Sequence, residues 1–370
     1  MKNQNYIILF ISLLFFSCEP FVTEFNNIEN AVMYESVDKT DPLDPTSLKV
    51  MTWNIRFGAG RIPWKYDSCG DRVLLTEDEV DNNLDNIVDF INEELPDIII
   101  LQEVDVLSKR TSYVDQVQYI LDNTHFNYGA YASMWQAQFI PNDGLGMVDV
   151  GNAILSRWEI ENAERIQLPL RSDQSSIEQY FYLRRNILKT KINININSSF
   201  YVVGTHTTAF ATDDTKQKHI DKFFDVLSSI EEDAIFISGG DLNALTPNAP
   251  KRDFCEEDKC HNDICDDDYD NNQIYQASYF NHLENEENLL LPLYENFHSA
   301  FDDALVDDYT NFTHSTWNED EDNPGSTDSE YWDRKLDYLF SSEPLTNGRT
   351  HQEQYMLSDH APVSAIMEIR

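Results

Sequence analysis

Short apolar runs that stop at a polar residue recur along the chain. Leu48-Lys49-Val50-Met51-Thr52-Trp53-Asn54-Ile55 is the first, followed by Asp97-Ile98-Ile99-Ile100-Leu101-Gln102-Glu103 and Gly151-Asn152-Ala153-Ile154-Leu155-Ser156. Phe200-Tyr201-Val202-Val203-Gly204-Thr205-His206, Ala234-Ile235-Phe236-Ile237-Ser238-Gly239-Gly240-Asp241 and Leu336-Asp337-Tyr338-Leu339-Phe340 continue the series. Each reads as a buried strand, since both faces of such a run are apolar. Between them, residues 83–91 and 218–230 repeat apolar positions at three- and four-residue steps, which predicts amphipathic helices. Strands and helices therefore alternate without an internal repeat, and a mixed α/β domain is expected.

The flanks have a different texture. Residues 19–47 are polar and acidic, carry Pro20, Pro42 and Pro45, and lack a sustained apolar period, so residues 18–47 read as a flexible tether ahead of a domain at 48–370. Residues 247–291 break into Cys, Asp, Asn and Glu and read as an insertion, being too poor in apolar residues for a core of their own. Within it, Asp266-x-Asp268-x-Asp270 resembles the start of a calcium loop, but Asn271 and Ala277 stand where Gly and Glu are expected. A solvated acidic loop is the first reading there, with a structural Ca2+ as the alternative.

At the N-terminus, Lys2 is followed by the apolar run 6–16 and then Ser17-Cys18. That run is too short for a permanent membrane span and suits an export signal. It resembles a bacterial lipoprotein signal over residues 1–17, with Cys18 as the acylated first residue of the mature chain. Phe15 and Phe16 are bulkier than usual for such a signal, so simple secretion with a free Cys18 is the alternative. Either way the expected location is extracytoplasmic, and in the first case membrane-anchored in a bacterial envelope. Cys69, Cys255, Cys260 and Cys265 remain, an even number that suits disulfides in an exported chain. Zinc is the rival reading, weakened by the absence of closely paired ligands.

Charge narrows the functional classes. Asp and Glu number 66 against 26 Lys and Arg, a formal net charge of −40. A polyanionic partner is repelled at long range, and a phosphate-bearing substrate needs local cations or bound metal. Hard carboxylate and amide oxygens suit Mg2+, with Mn2+ as a substitute. Glu103, Asp241, Asp337 and Asp359 lie at or beside strand ends, where an isolated buried charge would be costly unless paired or bound to metal. His206 and His360 add proton-transfer capacity, and Asn54, Asn152 and Asn243 add neutral polar groups.

In order along the chain, Thr52-Trp53-Asn54-Ile55, Leu101-Gln102-Glu103-Val104, Gly151-Asn152-Ala153-Ile154-Leu155-Ser156-Arg157, Thr205-His206, Gly239-Gly240-Asp241-Leu242-Asn243-Ala244, Leu336-Asp337-Tyr338-Leu339 and Ser358-Asp359-His360-Ala361-Pro362-Val363 resemble the endonuclease/exonuclease/phosphatase family. The resemblance implies a four-layered α/β/β/α sandwich of two packed mixed sheets flanked by helices. It implies metal ligation by Glu103, Asn54 and Asp359. Asp241 and Asn243 would orient water and grip phosphate, His360 would be the essential histidine oriented by Asp337, and His206 would serve the transition state or leaving group. Asn152 and Arg185 would contact phosphate, although Leu183 replaces an acidic residue often found before that Arg. Tyr128 and Tyr131 are placed by region alone as counterparts of a nuclease tyrosine, and both suit the core equally.

The expectation is a monomeric, Mg2+-dependent phosphodiesterase or phosphatase. A secreted nuclease is the alternative, disfavoured because the basic residues Arg56, Arg61, Lys65, Arg184, Arg185, Lys251 and Arg252 are scattered. A non-catalytic surface binding protein is a further alternative, weakened by the complete set of site residues.

Overall fold

A computed structural model describes residues 21–66, 70–259, 265–266, 275–276, 280, 285–301, 308–316 and 331–369. The export signal with Cys18, together with Cys69, Cys260, Asp268 and Asp270, lies outside the described residues. Among those described, no helix is long and apolar enough to cross a membrane.

The strands are β1 (Ile28–Asn30), β2 (Val32–Glu35), β3 (Ser47–Asn54), β4 (Ile98–Asp105), β5 (Tyr128–Ile140), β6 (Gly146–Ser156), β7 (Ile160–Gln167), β8 (Asn186–Ile192), β9 (Phe200–His206) and β10 (Ile235–Asp241). The two-residue strands β11 (Cys265–Asp266), β12 (Tyr275–Gln276) and β13 (His298–Ser299) follow, then β14 (Asp337–Ser341), β15 (Leu345–Thr350) and β16 (Val363–Glu368). They form two seven-stranded sheets, ordered β1-β7-β8-β9-β10-β14-β13 and β15-β16-β3-β4-β6-β5-β2, with β11 and β12 paired separately. Both large sheets are mixed: β9/β10 and β3/β4 are parallel and the remaining pairs antiparallel.

Alternation along each strand divides the apolar residues between two interiors. Val50, Ile98, Ile100, Ile154, Leu188, Val202, Ile237, Leu339 and Ala365 pack between the sheets. On the outer face of one sheet, Met51, Trp53, Ile99 and Leu101 pack against Val80, Leu84, Ile87, Val88 and Ile91 of the helix Glu77–Glu94. On the outer face of the other, Val203, Phe236 and Phe340 meet Ile220, Phe223, Val226 and Leu227 of the helix Thr215–Ser228. The result is the expected four-layered sandwich. Gly204 lets the sheets approach, since a Cβ there would lie 2.6 Å from Ile100 Cγ2.

The first helix exceeds its expected bounds because Thr76 and Glu79 form a capping box that starts it earlier. Residues 21–35 depart further from expectation, for they are part of the fold and not a tether. β1 pairs with β7 in one sheet, β2 pairs with β5 in the other, and Val22 is buried in a bridge to Ala137. These edge segments are held by main-chain bonds such as Thr23 N–H to Gln136 O and Gln138 N–H to Phe21 O, both 2.8 Å. Their apolar side chains Ile28, Val32 and Met33 are exposed, so no buried-face period marks them in the sequence.

The insertion is fastened at several described points. Cys255 and Cys265 form a disulfide, which supports the oxidised reading for that pair. Phe254 and Phe280 pack with Leu245, Ala249 and Leu336 in a small satellite core. Lys216 Nζ and Glu286 Oε2 make a fully buried ion pair at 3.0 Å, tying the insertion to the helix Thr215–Ser228.

Candidate active site

The strand register brings the expected residues to one end of the sandwich. His206 ends β9, Asp241 ends β10 and Asp337 begins β14, and Asp241 is in register with both neighbours. Asn54 ends β3 in the facing sheet, and His360 precedes β16. Glu103 has φ 55° at a register shift in β4 between Leu101 and Val104. A bulge of this kind breaks the side-chain alternation and re-aims a residue that a regular strand would direct elsewhere.

Asp241 Oδ2 is the meeting point. It lies 3.1 Å from His206 Nε2, 3.6 Å from His360 Nε2, and accepts from Asn54 Nδ2 at 3.1 Å. The same Asn54 amide reaches Glu103 Oε1 at 3.3 Å, while its Oδ1 accepts from Arg56 N–H at 3.0 Å. On the far side, His360 Nδ1 is 2.7 Å from Asp337 Oδ2. The other oxygen of Asp241 accepts the main-chain N–H of Asn243 at 3.0 Å. Asn243 itself is in the left-handed region (φ 44°), and its side-chain amide donates to Thr207 O. Its visible task is thus to shape the turn that aims Asp241.

The electrostatics follow from this packing. Burial would raise the Asp241 pKa, but His206 and His360 outweigh it and hold the carboxyl well below the usual carboxylate range. Burial would lower His360, yet Asp337 and Asp241 push it up to about 10. His206 goes the other way: burial first, then the Arg185 cation, bring it down to about 4 against the pull of Asp241. Two imidazoles on one carboxylate therefore differ in charge, His360 being cationic and His206 neutral at neutral pH.

Asp359 lies beside His360 but belongs to another cluster. Its Oδ2 is 3.4 Å from Arg56 Nε, and Ser358 Oγ donates to its Oδ1 at 3.1 Å. Burial raises its pKa, while Arg56 and His360 outweigh that and bring it to about 2. Asn152 is buried on β6 with its amide donating to Asn186, and its Oδ1 has no hydrogen-bond partner among the described residues. Arg185 is buried, and its charge interacts with Glu103 and Asp241, which keeps it beside the site.

Arg56 and Arg61 differ from their reading as loop cations. Arg56 is buried, with Nη1 donating to Gly60 O and Ile62 O; Arg61 donates to Tyr355 O and Ser315 O and lies over Tyr331. The position of Arg56 directly after the Asn54 strand end was the available signal. Lys65 pairs with Asp143, Lys251 with Glu257 and Arg252 with Glu287. Tyr131 is a core residue whose hydroxyl donates to Asp149. His314, which the sequence reading passed over, lies edge-to-face on His360 with ring centroids 4.8 Å apart.

A divalent cation fits this donor set. Glu103, Asp241 and the Asn54 side chain converge within hydrogen-bond distance and offer hard oxygens, the class preferred by Mg2+ and Mn2+. Rotation of the Asn54 amide would exchange its nitrogen for a further oxygen.

The sequence model of the Endonuclease/Exonuclease/phosphatase family matches residues 51–360. No curated protein matches the chain. Among solved structures, an endonuclease/exonuclease/phosphatase from Beutenbergia cavernae has a TM-score of 0.52 at 15% identity, covering 88% of this chain and 72% of that one. Humanized D. rerio TDP2 has a TM-score of 0.51 at 13% identity, with 87% and 99% covered. An endonuclease/exonuclease/phosphatase from Bacteroides vulgatus has a TM-score of 0.50 at 14% identity, with 88% and 100% covered. At such identities these likenesses establish the fold. The family match spans both sheets and the strand-end residues described above, and the chain belongs to the Endonuclease/Exonuclease/phosphatase family of metal-dependent phosphoester hydrolases.

Proposed function

We propose that this protein is an extracytoplasmic, Mg2+-dependent phosphodiesterase or phosphatase acting on small or lipid-borne phosphoesters. The observation that carries the reading is Asp241, ionised between a neutral His206 and a cationic His360. A metal held by Glu103 with Asn54, and joined by Asp359 through local rearrangement, would neutralise phosphate charge. Asp241 accepts a hydrogen bond from the attacking water and orients it toward phosphorus. His360, kept charged by Asp337, stabilises the oxygens that gain charge in the transition state. His206 serves the transition state or the leaving oxygen, while Asn152 and Arg185 line the phosphate side. Asn243 supports Asp241 through its turn.

The N-terminal chain supports a membrane tether. Phe21 joins the outer part of β5 through Gln138, beyond Ala132, the partner of Asn152, and its ring lies 6.4 Å from that of Phe139. Acylation at Cys18 would anchor the chain to a membrane. Replacement Cys18→Ser tests this point: release from the membrane fraction is expected, and retention refutes the anchor.

A nuclease reading is less well supported. Its candidate basic residues are buried, engaged in local ion pairs or, for Arg61, half-buried and bonded to main-chain carbonyls, which leaves little to track a nucleic-acid backbone. The deciding experiment is a Mg2+-supplemented screen of purified mature protein against phospholipids, inositol phosphates, sugar phosphates, DNA and RNA. Turnover of the first three classes is expected; turnover confined to DNA or RNA would favour the nuclease.

A further inference from the structure

His314 is a side chain at the site to which the proposed reaction gives no task. It forms antiparallel bridges with both Arg334 and His360, and its N–H donates to Arg334 O at 3.0 Å. This backbone pairing fixes where the ring stands. One imidazole nitrogen lies within 4.8 Å of both an Asp359 oxygen and a His360 ring nitrogen. Among the described residues its buried Nδ1 has no acceptor within hydrogen-bond distance, and the nearest carboxylate oxygen, Asp333 Oδ1, is 3.8 Å away. A polar atom left in that state is costly, and a ligand that engages the ring would recover part of the cost.

The surroundings show how the ring is held. Arg334 is 1% exposed and donates to Asp333 Oδ1 at 2.6 Å and Oδ2 at 3.0 Å. Its other face makes a bidentate pair with Asp258, at 2.6 and 2.9 Å, and its guanidinium lies 4.0 Å over the Phe254 ring. Asp258 closes the short helix Cys255–Asp258, and Cys255 carries the disulfide. A bidentate Arg–carboxylate pair out of solvent is geometrically specific. Asp258, Arg334 and Asp333 thus form a partly buried chain of ion pairs from the insertion to the wall of the active site. Its link to His314 is through the main chain, His314 N–H to Arg334 O and Asp333 N–H to His314 O, both 3.0 Å.

We propose that His314 is a substrate-binding residue whose imidazole hydrogen-bonds a phosphoryl oxygen on the Asp359–His360 side, and that the disulfide-closed insertion positions it through Asp258, Arg334 and Asp333. The proposal rests on the phosphoester reading above. A phosphoryl group entering a site with this many carboxylates needs donors that are not already spent on protein partners. Arg56 donates to two carbonyls, while Arg61 Nη2, Arg185 Nε and the His314 Nδ1 have no hydrogen-bond partner among the described residues; of these three side chains, it is the His314 ring that packs edge-to-face on His360 beside Asp359.

The test uses the full mature chain with Mg2+ and two readouts, calorimetric binding of inorganic phosphate and KM for an ester that the wild type hydrolyses. His314→Ala should weaken phosphate binding and raise KM by about tenfold, the scale of one hydrogen bond to a charged group. His314→Asn should recover part of this, because it keeps a donor. His314→Phe keeps a ring against His360 but no donor, and should behave like the alanine variant. Phosphate binding by His314→Phe equal to wild type would show that the ring only packs, and would overturn the proposal while leaving hydrolysis intact. Asp258→Asn should raise KM in the wild type and add nothing in the His314→Ala background; additive effects would overturn positioning through the ion-pair chain. If the wild type binds phosphate but hydrolyses no ester, the reaction fails and the phosphate-binding comparison still decides His314. If it binds no phosphate, both readings fall.

Discussion

His360 Nδ1 lies 2.7 Å from Asp337 Oδ2, and the opposite nitrogen of the same ring faces Asp241 Oδ2 at 3.6 Å. One imidazole is thereby held between two carboxylates, one fully buried behind it and one at the reacting face. This is the arrangement that keeps His360 charged, and it makes Asp337 more than a structural group.

Asp337→Asn should therefore lower kcat by roughly two to four orders of magnitude, the range over which orienting carboxylates act. KM and the melting temperature should change little. The His360 pKa, followed by NMR of its ring protons, should fall from about 10 toward the ordinary imidazole value. An unchanged His360 titration in the variant would show that Asp337 does not set its charge.

Metal removal separates chemistry from folding. Chelation with EDTA should abolish turnover, and Mg2+ or Mn2+ should restore it, without shifting the circular dichroism spectrum. Glu103→Gln should weaken the metal dependence by at least tenfold, read from activity against Mg2+ concentration and from direct metal binding. Persistent activity after thorough chelation would be incompatible with Glu103 and Asn54 as ligands.

The buried Lys216–Glu286 pair is a stability element behind the strand end that carries Asp241, where Glu286 also accepts from Leu245 N–H at 3.2 Å. Glu286→Ala would leave the lysine charge buried without its carboxylate, at a cost of about 3–5 kcal/mol. A clear fall in the urea midpoint is expected. The double variant Lys216→Met/Glu286→Leu should regain much of the loss, since paired apolar groups avoid the desolvation of a lone charge. Equal midpoints for all three proteins would refute this account.

His219 supplies a pH dependence with a definite sign. Burial lowers its pKa to about 4; Nδ1 accepts from Thr208 N–H at 3.2 Å and Nε2 faces Pro169 O at 2.7 Å. The unfolded chain takes up this proton near the ordinary value of about 6.5, the folded chain only near 4. The stabilising contribution is therefore present above pH 6.5 and is lost as pH falls from there toward 4. Its full size is about 3 kcal/mol by the conversion of roughly 1.4 kcal/mol per pH unit. His219→Gln should flatten the fall of stability over that interval, measured by urea unfolding at successive pH values. His206, also lowered to about 4, contributes in the same direction and leaves a residual slope.

Asn54, Glu103, His206, Asp241, Asp337 and His360 were legible in the sequence because each sits at or near the polar end of an apolar run, and strand ends are where a sandwich opens to solvent. The same logic found both covering helices, whose apolar steps need only local periodicity. Residues 21–35 escaped it because edge strands bonded through the main chain leave no side-chain period. The sequence by itself thus determined the layers and most of the site, since burial writes alternation and helical spacing into the residue order. Tertiary structure alone decided that Asn243 shapes a turn, that Arg56 is buried and Arg61 tied to main-chain carbonyls, and that His314 lies on His360. Those relationships depend on which distant segments meet, and no local pattern encodes a contact between a loop at residue 314 and a strand entry at residue 360.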